Sequence, residues 1–299
     1  MRPSMRFAIV THRSGRTNRS LAARHVSGFD QVRLLAPREA LALLGPEDVA
    51  VGRLDVRQTL DGIEEGLWAL SCLTARGVSV LNQPGALLCA HDKLLTARAL
   101  ERAGLPHPRT AVVGAGNIRP VLEPPIVLKP RFGSWGRDVM LCRDRDELAD
   151  GLAELETRPW FRAHGALAQE LIRPLGHDLR IVVAAGQVVG AIKRAAAPGE
   201  WRTNLALGGK RVPIAPPPAA CELAIAAAGA IGIDLVGIDL LPTGPGSYCV
   251  IELNGAVDFG AEYSLGADVF DAALAALAGA ARGEISTELP EAAAEAVPQ

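Results

Sequence analysis

The chain has 299 residues, 49% of them hydrophobic and 21% charged, with a formal net charge of −2. That length suits two domains, or three small ones, each with a real core, and the near-neutral charge argues against a protein built on non-specific binding to nucleic acid or a membrane surface. Five scattered cysteines (Cys72, Cys89, Cys142, Cys221, Cys249) never fall in a CxxC arrangement, so neither a disulfide framework nor a zinc site is expected.

Met1-Arg-Pro-Ser-Met5 lacks the apolar stretch of a signal peptide, and a cytoplasmic location is the expectation. Phe7–Thr11, Val32–Leu35, Val49–Gly52 and Val78–Asn82 read as strands. Leu67–Arg76 has the apolar spacing of an amphipathic helix closed by Gly77. This alternation predicts a small parallel α/β domain over residues 1–82. Arg13, Arg16 and Arg19 sit in a Gly/Ser/Asn loop after the first strand, as a grip for an acidic substrate or as a solvated basic loop.

Asn82-Gln83-Pro84-Gly85 marks a break, followed by a helix over Lys93–Arg102 that Gly104 and Pro106 end. Ile126–Leu128 is a buried strand, Val139–Cys142 resumes an extended pattern, and Asp144–Glu156 is a charged helix. Residues 83–165 are predicted to form one α+β lobe. A third unit, 166–285, opens with the strand Leu167–Ile172 and continues with Leu179–Ala184 and Val188–Lys193, a hairpin turning at Ala185-Gly186-Gln187. Pro198–Gly209 reads as a loop, and Glu222–Ile231 and Val269–Ala281 read as helices. The apolar stretch 221–241 is interrupted by Glu222, Asp234 and glycines, which speaks against a membrane span. The Pro/Glu/Ala-rich tail, 286–299, is expected to be mobile.

Two stretches carry chemistry. In Ile251-Glu252-Leu253-Asn254, strand alternation sends Ile251 and Leu253 to a core face and Glu252 and Asn254 to the other. A hairpin at 242–246 brings Asp239 to the same polar face. Hard oxygen ligands left partly open suit a magnesium ion that also holds phosphates; acids on a solvated strand are the plain alternative. In Val127-Leu128-Lys129-Pro130-Arg131-Phe132-Gly133-Ser134-Trp135-Gly136, a strand delivers Lys129 to a glycine loop. Glycines let backbone N–H groups approach phosphate oxygens while the lysine adds charge. The loop feeds a strand, so it is neither a Walker loop nor a Rossmann turn. It reads as a flap over phosphates, or else as an ordinary hairpin.

In order along the chain stand Asn82…Pro84, His91-Asp92-Lys93, Gly104-Leu-Pro106-His-Pro108, Leu128-Lys129-Pro130…Gly133-Ser-Trp-Gly136 and Gln169-Glu170-Leu171-Ile172. Asp178-Leu-Arg180, Arg202-Thr203-Asn204…Gly208-Gly209, Gly237-Ile-Asp239 and Glu252-Leu-Asn254 follow. Over roughly two-thirds of its length, from about residue 82 to 282, the chain resembles the ATP-grasp ligases, specifically the RimK-like branch. The resemblance implies an ATP-grasp fold, with an α/β N-terminal domain and two α+β lobes clasping ATP. It implies that Lys93 and Lys129 contact the nucleotide phosphates beneath the flap Gly133, Ser134, Trp135 and Gly136. Glu170 and Leu171 match the hinge strand at the adenine, and Asp178 a ribose or hinge contact. Arg180, Arg202, Thr203 and Asn204 match groups around the transferring phosphoryl, with Arg180 and Arg202 catalytic. Asp239, Glu252 and Asn254 match the ligands of Mg2+, with Mn2+ as the alternative ion.

The implied reaction phosphorylates a carboxylate with ATP. The acylphosphate is then opened with an amine, glutamate or a related amino acid, releasing ADP and phosphate. The acceptor is a protein tail or a small molecule, and a homo-oligomer is compatible with the resemblance. Two departures lie on the substrate side: Leu205-Ala206-Leu207 stands where glutamate ligases carry a histidine and an arginine, and Gly255-Ala256 stands where Pro-Gly is common. Gly133-Ser-Trp-Gly-Arg137 and Asp258-Phe259 are closer to the LysX-like ligases of amino-group-carrier proteins. Outside that enzyme class, a nucleotide-binding module without turnover and a kinase on the same grasp remain as alternatives. Trp135 stacks on substrate or merely closes the lid; Asp258 and Glu262 read a substrate amine or cap local structure. His91, His107 and His177 are lone histidines without metal-ligand spacing.

Overall fold

The computed structural model describes residues 5–114 and 122–284; the expected mobile tail lies outside the described residues. The chain opens with β1 (Phe7–Val10), α1 (Arg16–Ala22), β2 (Val32–Leu35), α2 (Pro37–Leu43), β3 (Val49–Gly52), α3 (Leu67–Ala75) and β4 (Ser79–Leu81). Its strands form a parallel sheet in the order β2-β1-β3-β4. β1 and β3 are buried throughout, so they read as unbroken apolar runs. Arg16 and Arg19 belong to α1 rather than to a loop, and the partly exposed Arg13 pairs with Asp55 and Glu64.

Next come α4 (Pro84–His91), α5 (Lys93–Arg102), β5 (Thr110–Val113), β6 (Ile126–Pro130), β7 (Met140–Cys142), α6 (Arg145–Glu156), α7 (Pro159–His164) and β8 (Ala166–Glu170). The break read at 82–85 is the start of α4: Pro84 sits at the first helical position, where its missing N–H costs nothing. Asp92 then starts α5, accepting from the backbone N–H groups of Leu94 and Leu95. A second sheet, antiparallel, has the order β5-β8-β6-β7. β8 is central to it, so a boundary at 165/166 cuts a strand from its own sheet and the division falls after Glu170. An apolar run shows that a strand is buried but not which sheet takes it.

The remainder supplies β9 (His177–Ala184), β10 (Gln187–Ala195), β11 (Lys210–Pro213), α8 (Pro218–Ile231), β12 (Leu235–Gly244), β13 (Ser247–Asn254) and α9 (Val269–Ala281). The third sheet is antiparallel with order β11-β10-β9-β12-β13. The β9–β10 turn is Ala185-Gly186, both at positive φ (46° and 77°), the twist that suits a two-residue hairpin. α4, α5 and α8 share one core with one face of this sheet and part of the parallel sheet, while α9 covers the other face. The middle sheet, α6 and α7 enclose a separate core, joined by Val56, Leu60 and Ile63 from the loop after β3. Among the described residues no helix is long and apolar enough to cross a membrane.

Asn82 fastens the parallel sheet to the five-stranded one. Its Nδ2 donates to the carbonyls of Gly52 (3.0 Å) and Leu235 (2.9 Å), and its Oδ1 accepts from the N–H groups of Asp234 (2.9 Å) and Leu235 (2.7 Å). It is fully buried and left-handed (φ 53°), a conformation asparagine tolerates better than most residues. Asn82→Ala is expected to lower stability in urea unfolding by roughly 2–4 kcal/mol, because buried donors and acceptors lose their partner. Asn82→Gly removes the backbone strain yet stays destabilised; full stability in Asn82→Gly would show that the side-chain bonds contribute little.

Candidate functional site

The site is built on three neighbouring strands. Arg180 on β9 lies directly opposite Asp239 on β12, which lies opposite Glu252 on β13, so all three side chains leave one face of the sheet. Asp178 stands opposite Arg194 in the β9–β10 pair. Arg180 grips Asp239 with two bonds of 2.7 Å (Nε to Oδ1, Nη2 to Oδ2), the fork geometry that suits a carboxylate. Arg194 Nη2 reaches the same Oδ2 at 2.8 Å, and the Arg194 guanidinium is held on its other side by both oxygens of Asp178. Thr203 Oγ1 donates to Asp178 Oδ2 at 2.5 Å.

Burial opposes every charge in this network, and pairing wins. Burial favours the neutral acid at Asp239, yet Arg180 and Arg194 hold its carboxyl below the usual range. Arg194 is buried too, and Asp239 and Asp178 hold it above the ordinary arginine value. Asp178 lines the cavity, but both of its oxygens are occupied by Arg194 and Thr203. It therefore positions those two groups at the wall of the cavity.

Lys93 and Lys129 come from different elements to the same place. Asp92 caps α5 and is also forked by Arg131 (2.7 and 2.6 Å), fixing the helix start that carries Lys93 against the end of β6. Lys93 Nζ donates to the carbonyl of Gly133 at 2.6 Å and stands 3.2 Å from Glu252 Oε1. Lys129 Nζ donates to Gln169 Oε1 at 2.6 Å, and Gln169 is steadied by Thr110. Burial, helped by the charge of Lys93 and opposed by Glu252, brings the Lys129 ammonium down to about 7. A neighbouring anion would restore its charge.

These groups line one cavity of about 140 Å³ with Gly133, Ser134, Gly136, Glu170, Leu171, Arg202 and Asn204. Its apolar end is formed by Val127, Ile172, Leu241 and Ile251. Ile251 was expected in the core. A bulge in β13 pairs Asp239 with Glu252 but Leu240 with Val250, leaving Ile251 as the extra residue, so it joins Glu252 on the cavity side. Trp135, Arg180 and Asn254 instead line a second, adjoining cavity, which shares Ser134, Arg194 and Asn204 with the first. Asn254 Nδ2 is buried with no hydrogen-bond partner among the described residues.

The flap and the 198–209 loop are latched together. Arg202 Nη1 donates to the carbonyls of Gly136 and Val139 (3.3 Å each) while Glu200 forks its other nitrogens. That pairing takes the Glu200 carboxyl down to about 2. Gly136 is left-handed (φ 71°), and a Cβ there would meet Asn204 at 2.9 Å, so the close approach requires glycine. Asp138 accepts from the Trp160 indole at 2.8 Å and anchors the far end of the flap.

Residues 90–276 match the model of the RimK-like ATP-grasp domain, more than half of the chain. The chain belongs to the RimK-like ATP-grasp family. Among relatives of this RimK-like chain, β-citrylglutamate synthase B of Homo sapiens is 32% identical over 206 residues, covering 66% of this chain and 52% of that protein. The chain thus spans about half the length of such relatives. The glutamate–LysW ligase ArgX of Sulfurisphaera tokodaii is 31% identical over 224 residues, 72% of this chain and 78% of that one. The fold is ATP-grasp: D-alanine–D-alanine ligase from Bacillus anthracis, solved with ATP, superposes at TM-score 0.66 with 14% identity, over 94% of this chain and 99% of that one. A RimK domain ATP-grasp protein from Sphaerobacter thermophilus does so at 0.64 with 20% identity, over 90% and 98%.

Residue reasoning left Gln169 without a role and did not single out Arg194. Arg194 had a signal, the second of two charges (Lys193 and Arg194) after the apolar run Val188–Ile192; Gln169 stood inside a recognised motif. Arg194→Met is expected to cost about 3–5 kcal/mol in urea unfolding, since it strips a buried partner from two carboxylates. Asp178→Leu/Arg194→Met should recover part of that loss. Wild-type stability in Arg194→Met would remove the network from the core of the site.

Proposed function

We propose that this protein is an ATP- and magnesium-dependent carboxylate–amine ligase of the cytoplasm, forming an amide through an acylphosphate. The reading is carried by the row Arg180–Asp239–Glu252 at the junction of two adjoining cavities, one lined by two lysines beneath a glycine flap. Phosphoryl transfer asks a protein mainly for alignment and charge neutralisation. The first cavity offers an apolar end for a base and a cationic end for a triphosphate. The second gives a carboxylate and an amine a place on the far side of the same charges.

Asp239, Glu252 and Asn254 stand together on β12 and β13 and carry hard oxygens of the kind that suits magnesium, with Asp239 already shared between Arg180 and Arg194, so an ion would compete with those arginines for its oxygens. Asn254 would face the ion with Oδ1, leaving its buried Nδ2, a donor without a partner among the described residues, for an oxygen of a bound anion. Bound there, the ion would neutralise charge on the transferring phosphoryl group. Lys93 and Lys129 are placed to hold phosphate oxygens, and Arg180 and Arg202 to stabilise the negative charge that develops on the carbonyl oxygen of the acylphosphate. The latched flap and loop would keep water from the acylphosphate.

Glutamate, or a related amino acid, is proposed as the amine substrate. The relatives' names support this: β-citrylglutamate synthase, glutamate–LysW ligase, and tetrahydromethanopterin:α-L-glutamate ligase. A second reading, in which the acceptor is the tail of a carrier protein, is favoured by the extent of the ArgX match and by Gly133-Ser-Trp-Gly136 and Asp258-Phe259.

Screening ADP release over amino acids crossed with acidic peptides, carrier tails and small carboxylates tests the reading. Glu252→Gln and Lys129→Ala are each expected to reduce ADP release by at least about 10²-fold while leaving thermal unfolding near wild type. Wild-type turnover in either variant would sink the site assignment. ATP binding at pH 8 should take up close to one proton, because triphosphate raises the Lys129 value from about 7. Calorimetry in buffers of different ionisation enthalpy reads this uptake, and Lys129→Ala should lose it.

A further inference from the structure

The second cavity contains a carboxylate that the phosphoryl chemistry does not use. Among the described residues, the charged side chains that line it are Asp55, Arg180, Arg194, Arg211 and Asp258. Asp55 pairs with Arg13, Arg180 and Arg194 share Asp239, and Arg211 pairs with Glu262. Asp258 is exposed and forms no ion pair among the described residues. It accepts from Thr17 Oγ1 at 3.2 Å, but that hydroxyl has a single proton and stands closer, at 2.9 Å, to the carbonyl of Phe259. The N–H of Phe259 donates back to the same hydroxyl at 3.0 Å. The backbone of Phe259 thus fastens α1 to the turn after β13 without needing the Asp258 carboxylate.

The turn that carries Asp258 is firmly held. Arg53 Nη2 donates to the carbonyl of Val257 at 2.6 Å, and Arg53 Nε donates to Asn18 Oδ1 at 2.7 Å. Gly237 on β12 leaves room for Val257, whose Cγ2 would stand 2.4 Å from a Cβ at that position. Burial brings the Arg53 guanidinium down to about 10, and the nearby Asp258 and Asp55 oppose that shift. Arg13 and Arg53 are thus set against Asp55, Glu64 and Asp258, which leaves one negative charge at this edge of the cavity. Arg180 and Arg194 do not cancel it, because Asp239 and Asp178 already match them. An unpaired carboxylate beside matched arginines suits a ligand that brings an ammonium group. The cavity, of about 100 Å³, has room for one.

We propose that Asp258 holds the ammonium group of the amine substrate and so makes the second cavity select an amino acid over the same acid without its amine. The assignment rests on the ligase reading above. The ammonium donates to Asp258 Oδ2, the oxygen that Thr17 does not touch. Glu262 has no such part, since Arg211 occupies it at 2.7 Å. Asp258 is here a specificity-determining residue: it binds and orients the amine before attack, and no bond is made or broken at its oxygens.

Equilibrium dialysis of the whole protein, loaded with ADP and magnesium, against L-glutamate and glutarate tests the subsite without turnover. Wild type is expected to bind L-glutamate at least about tenfold more tightly than glutarate, because a site built around a charged acceptor rejects the analogue that lacks the donor. Asp258→Asn should lose most of that preference while ADP affinity and thermal unfolding stay near wild type. Asp258→Ser carries the same expectation and serves if the asparagine variant fails to fold, and Asp258→Glu, which keeps the charge, should retain the preference. Wild-type protein that binds the two acids alike, or a folded Asp258→Asn or Asp258→Ser protein that keeps the full preference, overturns the proposal. In turnover with ATP and N-acetyl-L-glutamate as acceptor, Asp258→Asn is expected to raise the KM for L-glutamate about tenfold or more, a larger factor than any loss in kcat. A loss in kcat with KM unchanged overturns the assignment. Wild-type protein that forms no amide counts against the ligase reading, while the dialysis still decides whether Asp258 holds an ammonium group.

Discussion

A single buried carboxylate, Asp239, organises this molecule. It is held by three N–H bonds from Arg180 and Arg194, and through Arg194 it is tied to Asp178 and Thr203. Its members come from three strands and one loop, so the network sets the register of β9, β10 and β12 and the position of the 198–209 loop together. Buried charges tolerate no vacant partner, because the desolvation of each is offset only by the others. The geometry of the site is therefore fixed by the same interaction that keeps these strands from slipping.

The network also explains why two cavities meet where they do. Arg194 and Asn204 belong to both, and Ser134 of the flap closes the third side of the junction. A phosphoryl group arriving from one side and a carboxylate from the other would both face Arg194, with Arg202 on the first side and Arg180 on the second. Proximity of this kind is worth many orders of magnitude when reactants are otherwise bimolecular. The flap and the loop are fastened to one another because Arg202 bonds to flap carbonyls while Gly136 packs on Asn204. Asp92 performs a related double task at the other end, capping α5 and holding Arg131, so that Lys93 and the end of β6 arrive in fixed relation.

Much of this was legible in the residues. Strand alternation correctly put Glu252 on the side of Asp239, and the glycines after Lys129 correctly announced a strand–loop–strand flap, since both depend on local backbone rules. The failures share a cause. Ile251 was assigned to the core by alternation, and a bulge that only the pairing of β12 with β13 creates moved it to the cavity. Pro84-Gly85 looked like a break and begins a helix, because proline is as suited to a first helical turn as to a loop. Ala166–Glu170 was given to the following unit, since an apolar strand carries no label for its sheet.

The sequence by itself determined the elements, the polar face of β13, the flap and the chemical kinds of group that the site would need. Those follow from local periodicity, turn chemistry and the order of short motifs along the chain. Tertiary structure decided which charges are paired, which atoms are left without partners, and where one cavity ends and the next begins. His91 shows the difference: in the chain it is one histidine among six. Only the fold buries it at the end of α4 and leaves its Nε2 without a hydrogen-bond partner among the described residues, because hydrogen-bond satisfaction is a property of neighbours in space and not of neighbours in sequence.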